Sequence, residues 1–156
     1  DAGNELLNEI LPKWLEGKIT PIPQDKALAT FTWKRDLVKD KALIDLSMPI
    51  SKVERMIRAF SPWPIAWANV KIDGKIKRLK IYKATILKSL KIENTGAISF
   101  EDRKIGEIFK DNKKLFLKLK DGVLELQEIQ LEGKKVLPGT EYLFLDGVCL
   151  DNVKAD

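Results

Sequence analysis

Cations alternating with apolar residues are the feature of this sequence best suited to chemistry. Lys114, Lys118 and Lys120 interleave with Leu115, Leu117 and Leu119, and Arg78 and Lys80 interleave with Leu79 and Ile81. Successive side chains of a strand point to opposite faces. Each set therefore puts its cations outside and its leucines or isoleucines inside, and neighbouring strands are expected to merge the cations into one positive field. Such a field binds nucleic acid through phosphates, without reading bases. Stacking on single strands needs exposed aromatics on the same face. Tyr82 and Phe116 are the candidates by parity, and a packing role is expected of both. The expected ligand class is structured RNA or a duplex, recognised by shape and charge.

Other chemistries lack their groups. The 156 residues include no histidine, which removes His-based triads, proton shuttles and almost every zinc site. A single cysteine, Cys149, excludes an intrachain disulfide, and with no imidazole to activate it the thiol is expected to be structural or incidental. There is no glycine-rich phosphate loop, no Gly-x-Ser-x-Gly elbow and no calcium-loop spacing of carboxylates. Catalytic, cofactor-binding and metal-binding residues are therefore all expected to be absent from the chain.

Charge is unevenly spread. Residues 71–120 hold 15 Lys/Arg against 6 Asp/Glu, a surplus of +9, whereas residues 121–156 hold 3 against 8, a deficit of −5. A basic block within 50 residues is an electrostatic footprint suited to phosphates or acidic partners. Composition is globular, with 44% hydrophobic and 33% charged residues, enough for one core. No run of apolar residues reaches the length of a membrane span and no secretory leader is visible, so a soluble protein of a reducing compartment is expected.

The elements that must position the cations follow from periodicity. Residues 5–16 read as a helix, with Leu7, Ile10, Leu11 and Trp14 on one stripe, Pro12 inside it and Gly17 as its stop. That stripe is too apolar for a helix with so little nearby to cover it. Residues 18–47 read as an ordered connector, with extended backbone at Pro21 and Pro23 and one short strand within Ala27–Trp33. Residues 51–60 read as a second helix: Ser51 and Glu54 have capping-box spacing, Val53, Met56, Ile57 and Phe60 face the core, and Pro62 and Pro64 end it. From Trp67 the period becomes two. Asp73-Gly74 and Asp121-Gly122 mark two hairpins, residues 88–104 form a polar excursion, and a minor helix follows Pro138 around Thr140–Leu145. Five or six short strands at this spacing predict a small β-barrel, giving a mainly β fold with flanking helices.

Two segments then carry a family likeness. Ile57-Arg58-Ala59-Phe60-Ser61-Pro62-Trp63-Pro64 resembles the Ile-Arg-Ala-Phe-Asn-Pro-Trp-Pro signature of methionyl-tRNA formyltransferases, and the run from Asp121-Gly122-Val123 to Gly133-Lys134-Lys135 resembles their late hairpin. Weaker matches fall in the same order: Pro23-Gln24-Asp25 with Ala29-Thr30-Phe31, Ile44-Asp45-Leu46, and Leu79-Lys80-Ile81-Tyr82-Lys83-Ala84. The likeness runs from about residue 3 to about residue 145. Ser61 stands where the family usually has Asn, and Ile65 where many members have Gly.

The resemblance implies a particular part of those enzymes: the last helix of a Rossmann-like catalytic domain, a linker and a C-terminal barrel resembling an OB-fold. The implied division is 1–23 for the terminal helix and linker start, 24–66 for linker and second helix, 67–147 for the barrel and 148–156 for a tail. It implies 10-formyltetrahydrofolate as co-substrate of the whole enzyme, initiator Met-tRNA as partner, and a catalytic domain that would cover the apolar first helix. Phosphate contacts are assigned to Lys77, Arg78, Lys80, Lys83, Lys118 and Lys120. Lys134 and Lys135 match the family motif without an assigned contact, and Arg58 is either a contact or a bridge between linker and barrel. The implied compartment is the bacterial cytoplasm or an organellar matrix, and the chain is expected to be monomeric and inactive alone. The alternatives are the C-terminal domain of another folate-dependent or sugar-nucleotide formyltransferase or of a formyltetrahydrofolate hydrolase, and a stand-alone RNA-binding OB module.

Overall fold

The structure is a computed structural model that describes residues 2–87 and 102–151. It separates into two compact units, residues 1–32 and residues 33–156. In the first, helix α1 spans Ala2–Leu15 and runs through Pro12. It ends in a Schellman arrangement: Gly17, at φ +70°, donates its N–H to Trp14 O, and the Lys18 N–H reaches Lys13 O at 2.9 Å. No residue of α1 is buried. The strand expected within Ala27–Trp33 does not form. The Asp25 carboxylate instead accepts the Ala27 N–H at 2.8 Å, and the Leu28 N–H turns back to Asp25 O. An aspartate that satisfies its own downstream backbone competes with strand pairing.

The second unit opens with 3-10 turns at Lys34–Asp36 and Lys39–Ala42. This stretch is more deeply anchored than its charge suggests. Ala42, Ile44 and Leu46 are buried, and the Ile44 N–H bonds Trp67 O at 2.8 Å. Helix α2, Ile50–Ala59, sends Val53 and Ile57 into the core. The capping box expected of Ser51 and Glu54 is not made. The N-cap is Pro49, so Ser51 already lies inside the helix, and Glu54 pairs with Arg58 instead. The Ile50 N–H is taken by the Asp121 carboxylate, 71 residues away in sequence, at 2.9 Å.

One curled antiparallel half-barrel sheet forms the body. Its strands are β1 (Ala66–Ile72), β2 (Lys75–Ile86), β3 (Ile108–Asp111), β4 (Lys114–Leu119), β5 (Gly122–Leu131), β6 (Leu137–Pro138) and β7 (Leu150–Asp151). The spatial order is β3-β4-β5-β2-β1-β7, with β6 beside β5. Asp73 and Gly74 both have positive φ, the type I′ geometry that joins β1 to β2 with Ile72 opposite Lys75. The same turn type at Asn112-Lys113 joins β3 to β4, a hairpin without the usual glycine and so without its sequence signal. Leu79, Ile81, Leu115, Leu117, Leu119, Leu124, Leu126, Ile129 and Leu131 line the concave core under α2. The sheet edges are stitched together: Leu150 donates to Gly106 O, Ile108 to Val148 O, and Gly147 to Ile108 O. Leu150–Asp151 thus joins the sheet, beyond the residue at which the sequence reading ends the barrel. The helix expected after Pro138 is present as 3-10 turns over Gly139–Leu145. All but residues 102–104 of the polar excursion at 88–104 lies outside the described residues.

Candidate polyanion-binding surface

The outer face of β2 is set by its pairing with β1 and β5. Leu79 and Ile81 are buried, and Arg78, Lys80 and Tyr82 alternate to the outside. Strict alternation would turn Lys83 inward. The register between β2 and β5 shifts around Tyr82 and Lys83, so Ala84 takes the inner position and Lys83 stays exposed opposite Glu128. Such a bulge re-aims a side chain without breaking the strand.

Arg78 is the best positioned of the cations. Its guanidinium carbon stands 4.2 Å from the centre of the Trp67 ring, and its backbone N–H donates to Glu132 Oε2 at 2.9 Å. Trp67 is held in turn by donating Nε1–H to Lys39 O at 2.8 Å. A guanidinium over an indole face is attracted by the ring quadrupole and keeps its edge free for an anion. Lys80 pairs in register with Trp67. Arg78, Lys80, Gln130, Glu132 and Gly133 line a recess of about 200 Å³. Tyr82 donates its hydroxyl to Gln130 Oε1 at 3.0 Å, and Gln130 Nε2 donates to Lys134 O. Lys134 and Lys135 are exposed at the end of this strand, and the Lys135 carbonyl accepts the Tyr142 hydroxyl at 2.7 Å.

The β4 cations are placed differently. Lys114 and Lys118 share the face of Phe116, as the alternation predicts. Phe116 is buried there with Phe109 and Val123, the Phe109 and Phe116 rings stacked at 5.5 Å between centroids, so it packs rather than offering a platform. Lys118 is half-buried, Lys120 is exposed, and Lys114 is paired with Glu125 at 3.0 Å.

The two cation sets are interleaved with carboxylates: Lys83 of β2 and Lys114 of β4 line one recess together with Glu125 and Glu128. β5 lies between β4 and β2 and carries Glu125 and Glu128 on that face, with Glu132 just past its end. Lys77 also leaves the expected group: it pairs with buried Val70 and shares the face of Leu79 and Ile81, opposite to Arg78 and Lys80. Arg58 reaches neither sheet nor linker in any observed bond, since its guanidinium closes on Glu54 at 2.6 Å. The Trp67 contribution was countable in the sequence, because a two-residue turn at Asp73-Gly74 sets Trp67 opposite Lys80. The β5 carboxylates were equally visible, but their place between the two lysine sets depends on strand order, which local pattern does not give.

Among the described residues no group of three or more His, Cys, Asp or Glu side chains is arranged to hold a metal ion, and no helix is long and apolar enough to cross a membrane.

Residues 36–144 fit the family described as formyl transferase, C-terminal domain, and the chain belongs to that family. It is similar to methionyl-tRNA formyltransferases: 40% identical over 143 residues to the protein of Dictyoglomus turgidum, covering 90% of this chain and 41% of that one. The Clostridium novyi methionyl-tRNA formyltransferase is 30% identical over 151 residues, covering 97% of this chain and 44% of that protein. The chain thus spans about two-fifths of the length of these relatives, in their C-terminal part. A solved structure of HypX from Aquifex aeolicus superposes with a TM-score of 0.54 at 21% identity, over 94% of this chain and 24% of that one, a likeness of fold.

Proposed function

We propose that this chain is the tRNA-positioning C-terminal part of a methionyl-tRNA formyltransferase, an enzyme that passes a formyl group from 10-formyltetrahydrofolate to the amino nitrogen of initiator Met-tRNA. The observation that carries this reading is the near end-to-end similarity to methionyl-tRNA formyltransferases, of which the chain covers about two-fifths. The chemical inventory supports the division of labour: with no histidine in the sequence, general acid–base work at neutral pH is assigned to the part of the enzyme outside this chain. The half-barrel, read as OB-like, presents Arg78, Lys80 and Lys83 on one flank of β5 and Lys118 and Lys120 on the other. These groups neutralise phosphates, and the apolar face of α1 is read as the seat of a catalytic domain. No cofactor is assigned to this chain, and its compartment is read as the bacterial cytoplasm or an organellar matrix.

The test is binding of initiator tRNA to the purified chain across a salt series, against a sugar nucleotide as competitor. Neutralising about five phosphates gives a slope of log K against log salt near −4. Salt-independent binding, or displacement of tRNA by the sugar nucleotide at equal concentration, overturns the reading. The chain alone is expected to show no formyl transfer to Met-tRNA.

A further inference from the structure

The tip of the first hairpin leaves the sheet. β7 pairs with β1 only at Asn69 and Val70, and the register of β5 along β2 begins at Leu79. Among the described residues, Lys71 and Ile72 therefore pair only with Ile76 and Lys75, and Lys77 pairs with Val70, the hairpin being closed by the Asp73-Gly74 turn. This two-stranded ribbon carries Lys71, Lys75 and Lys77 against the single carboxylate of Asp73.

Its cations lie on both faces. Val70 and Ile72 point to the core side, so Lys71 and Ile76 lie on the outer face, which continues into Arg78. Lys75 and Lys77, paired with Ile72 and Val70, lie on the inner face. Lys71 and Lys75 are exposed, Lys77 is half-buried, and Ile76 is 52% exposed at the tip. A surface that meets a polyanion flat needs charge on one side only. A ribbon charged on both sides suits a groove, where phosphates stand on either hand.

We propose that residues 71–77 form a basic arm that lies along the minor groove of a double-helical RNA stem, with Lys71 and Lys77 reaching the two facing backbones. This deepens the tRNA reading and rests on it. The minor groove of A-form RNA is wide and shallow, whereas its major groove is too deep and narrow for side chains to read. The minor groove of B-form DNA is only about 6 Å wide and closed to the arm, which leaves a DNA stem only its major groove. Lys77, which leaves the face of Arg78 and Lys80, acquires a role on the second side of the ribbon.

Three probes test the arm on the whole chain: a 12-base-pair RNA stem-loop, a DNA stem-loop of matching sequence, and a single-stranded RNA of equal length. The RNA stem is expected to bind at least about tenfold tighter than the DNA stem at one salt concentration. The triple variant Lys71→Gln, Lys75→Gln, Lys77→Gln is expected to reduce the salt slope for the RNA stem by between about 2 and 3, the loss of three phosphate contacts. Bound RNA stem should protect both Lys71 and Lys77 from acetylation. Protection of one face only, or equal affinity for RNA and DNA stems, overturns the groove arm. If the triple variant keeps its slope while Arg78→Gln loses one contact, the arm is wrong and the tRNA reading stands. If the wild-type chain binds no RNA with any salt dependence, both fail. An unchanged circular dichroism spectrum and Tm of the triple variant show that its fold is intact.

Discussion

The Asp121 carboxylate accepts the backbone N–H of Ile50 at 2.9 Å, joining the turn between β4 and β5 to the first residue of α2. The first N–H groups of a helix have no partner within it, and a negative charge there also meets the positive end of the helix dipole. α2 lacks a side-chain cap of its own because Pro49 occupies the N-cap. A neighbouring strand turn therefore does the work of a cap. Gly122, the next residue, lets Ile50 close in: a Cβ there would stand 3.0 Å from Ile50 Cδ1.

Asp121→Ala is accordingly expected to destabilise the chain by about 1 kcal/mol, the usual cost of a lost cap. Ser51→Ala, at the expected but unused capping position, should cost less than half as much. Urea unfolding of the two variants checks the ordering. An equal loss in both would mean that the Ser51 hydroxyl shares the capping.

Much of this fold could be read in the residues, and the losses have physical causes. The inward leucines of β4 and β5 and the type I′ turn at Asp73-Gly74 follow from period two and from glycine's tolerance of positive φ. The cap of α2 did not, because Asp121 and Ile50 meet only once the sheet has folded. Likewise the Lys114, Lys118 and Lys120 face is correct by alternation, but the carboxylates that part it from Arg78 and Lys80 belong to β5, and only strand order puts them there. Lys83 is exposed where strict alternation would turn it inward, and the register shift between β2 and β5 around Tyr82 and Lys83 is the reason.

Ile65 sits at φ +69° and is buried, at the position where the resembling family often has glycine. A left-handed backbone costs a residue with a Cβ roughly 1–2 kcal/mol, whereas removing a buried isoleucine side chain costs about 2–5 kcal/mol. Ile65→Gly relieves the first and incurs the second, for an expected net loss of about 1–3 kcal/mol. Ile57→Ala, in ordinary helical backbone and equally buried, relieves nothing and should cost more. Thermal unfolding of both variants decides whether backbone strain offsets burial at Ile65.

Glu107 predicts a pH dependence. Burial acts to raise its pKa, but the hydrogen bond from Arg103, the Lys104 amide and the two positive charges outweigh burial and hold it below the ordinary 4.5. Arg103 Nη1 lies 2.6 Å from Glu107 Oε1, and the guanidinium also rests 5.1 Å from the centre of the Phe109 ring. A depressed carboxyl contributes stability that is fully present above its unfolded pKa and is lost as pH falls through the folded value. Glu107→Gln should thus cost about 1–2 kcal/mol at pH 7. The gap in Tm between variant and wild type should close as pH drops below 4.5. A gap that stays constant from pH 7 to pH 3 would show that the ion pair contributes nothing to stability.

The carboxylates of β5 make the last prediction, which bears on the tRNA reading. Glu128 stands opposite Lys83 in register, and Glu132 lines the recess with Arg78 and Lys80. Both lie where a phosphate approaching the β2 cations would pass, and exposed charges act across about 8–10 Å at ordinary ionic strength. Glu128→Gln should therefore strengthen tRNA binding by about two- to fivefold at low salt, the gain shrinking as salt rises. Glu132→Gln is expected to gain less, because the amide must still accept the Arg78 N–H that the carboxylate now holds at 2.9 Å. Arg78→Lys keeps the charge yet loses the planar stack on Trp67, so it should weaken binding by about threefold or more, where a bare count of charges predicts no change. Filter binding at two salt concentrations distinguishes these cases. If Glu128→Gln leaves affinity unchanged while Arg78→Lys lowers it, the backbone contacts only the Trp67 side of β2 and Lys83 is outside the interface.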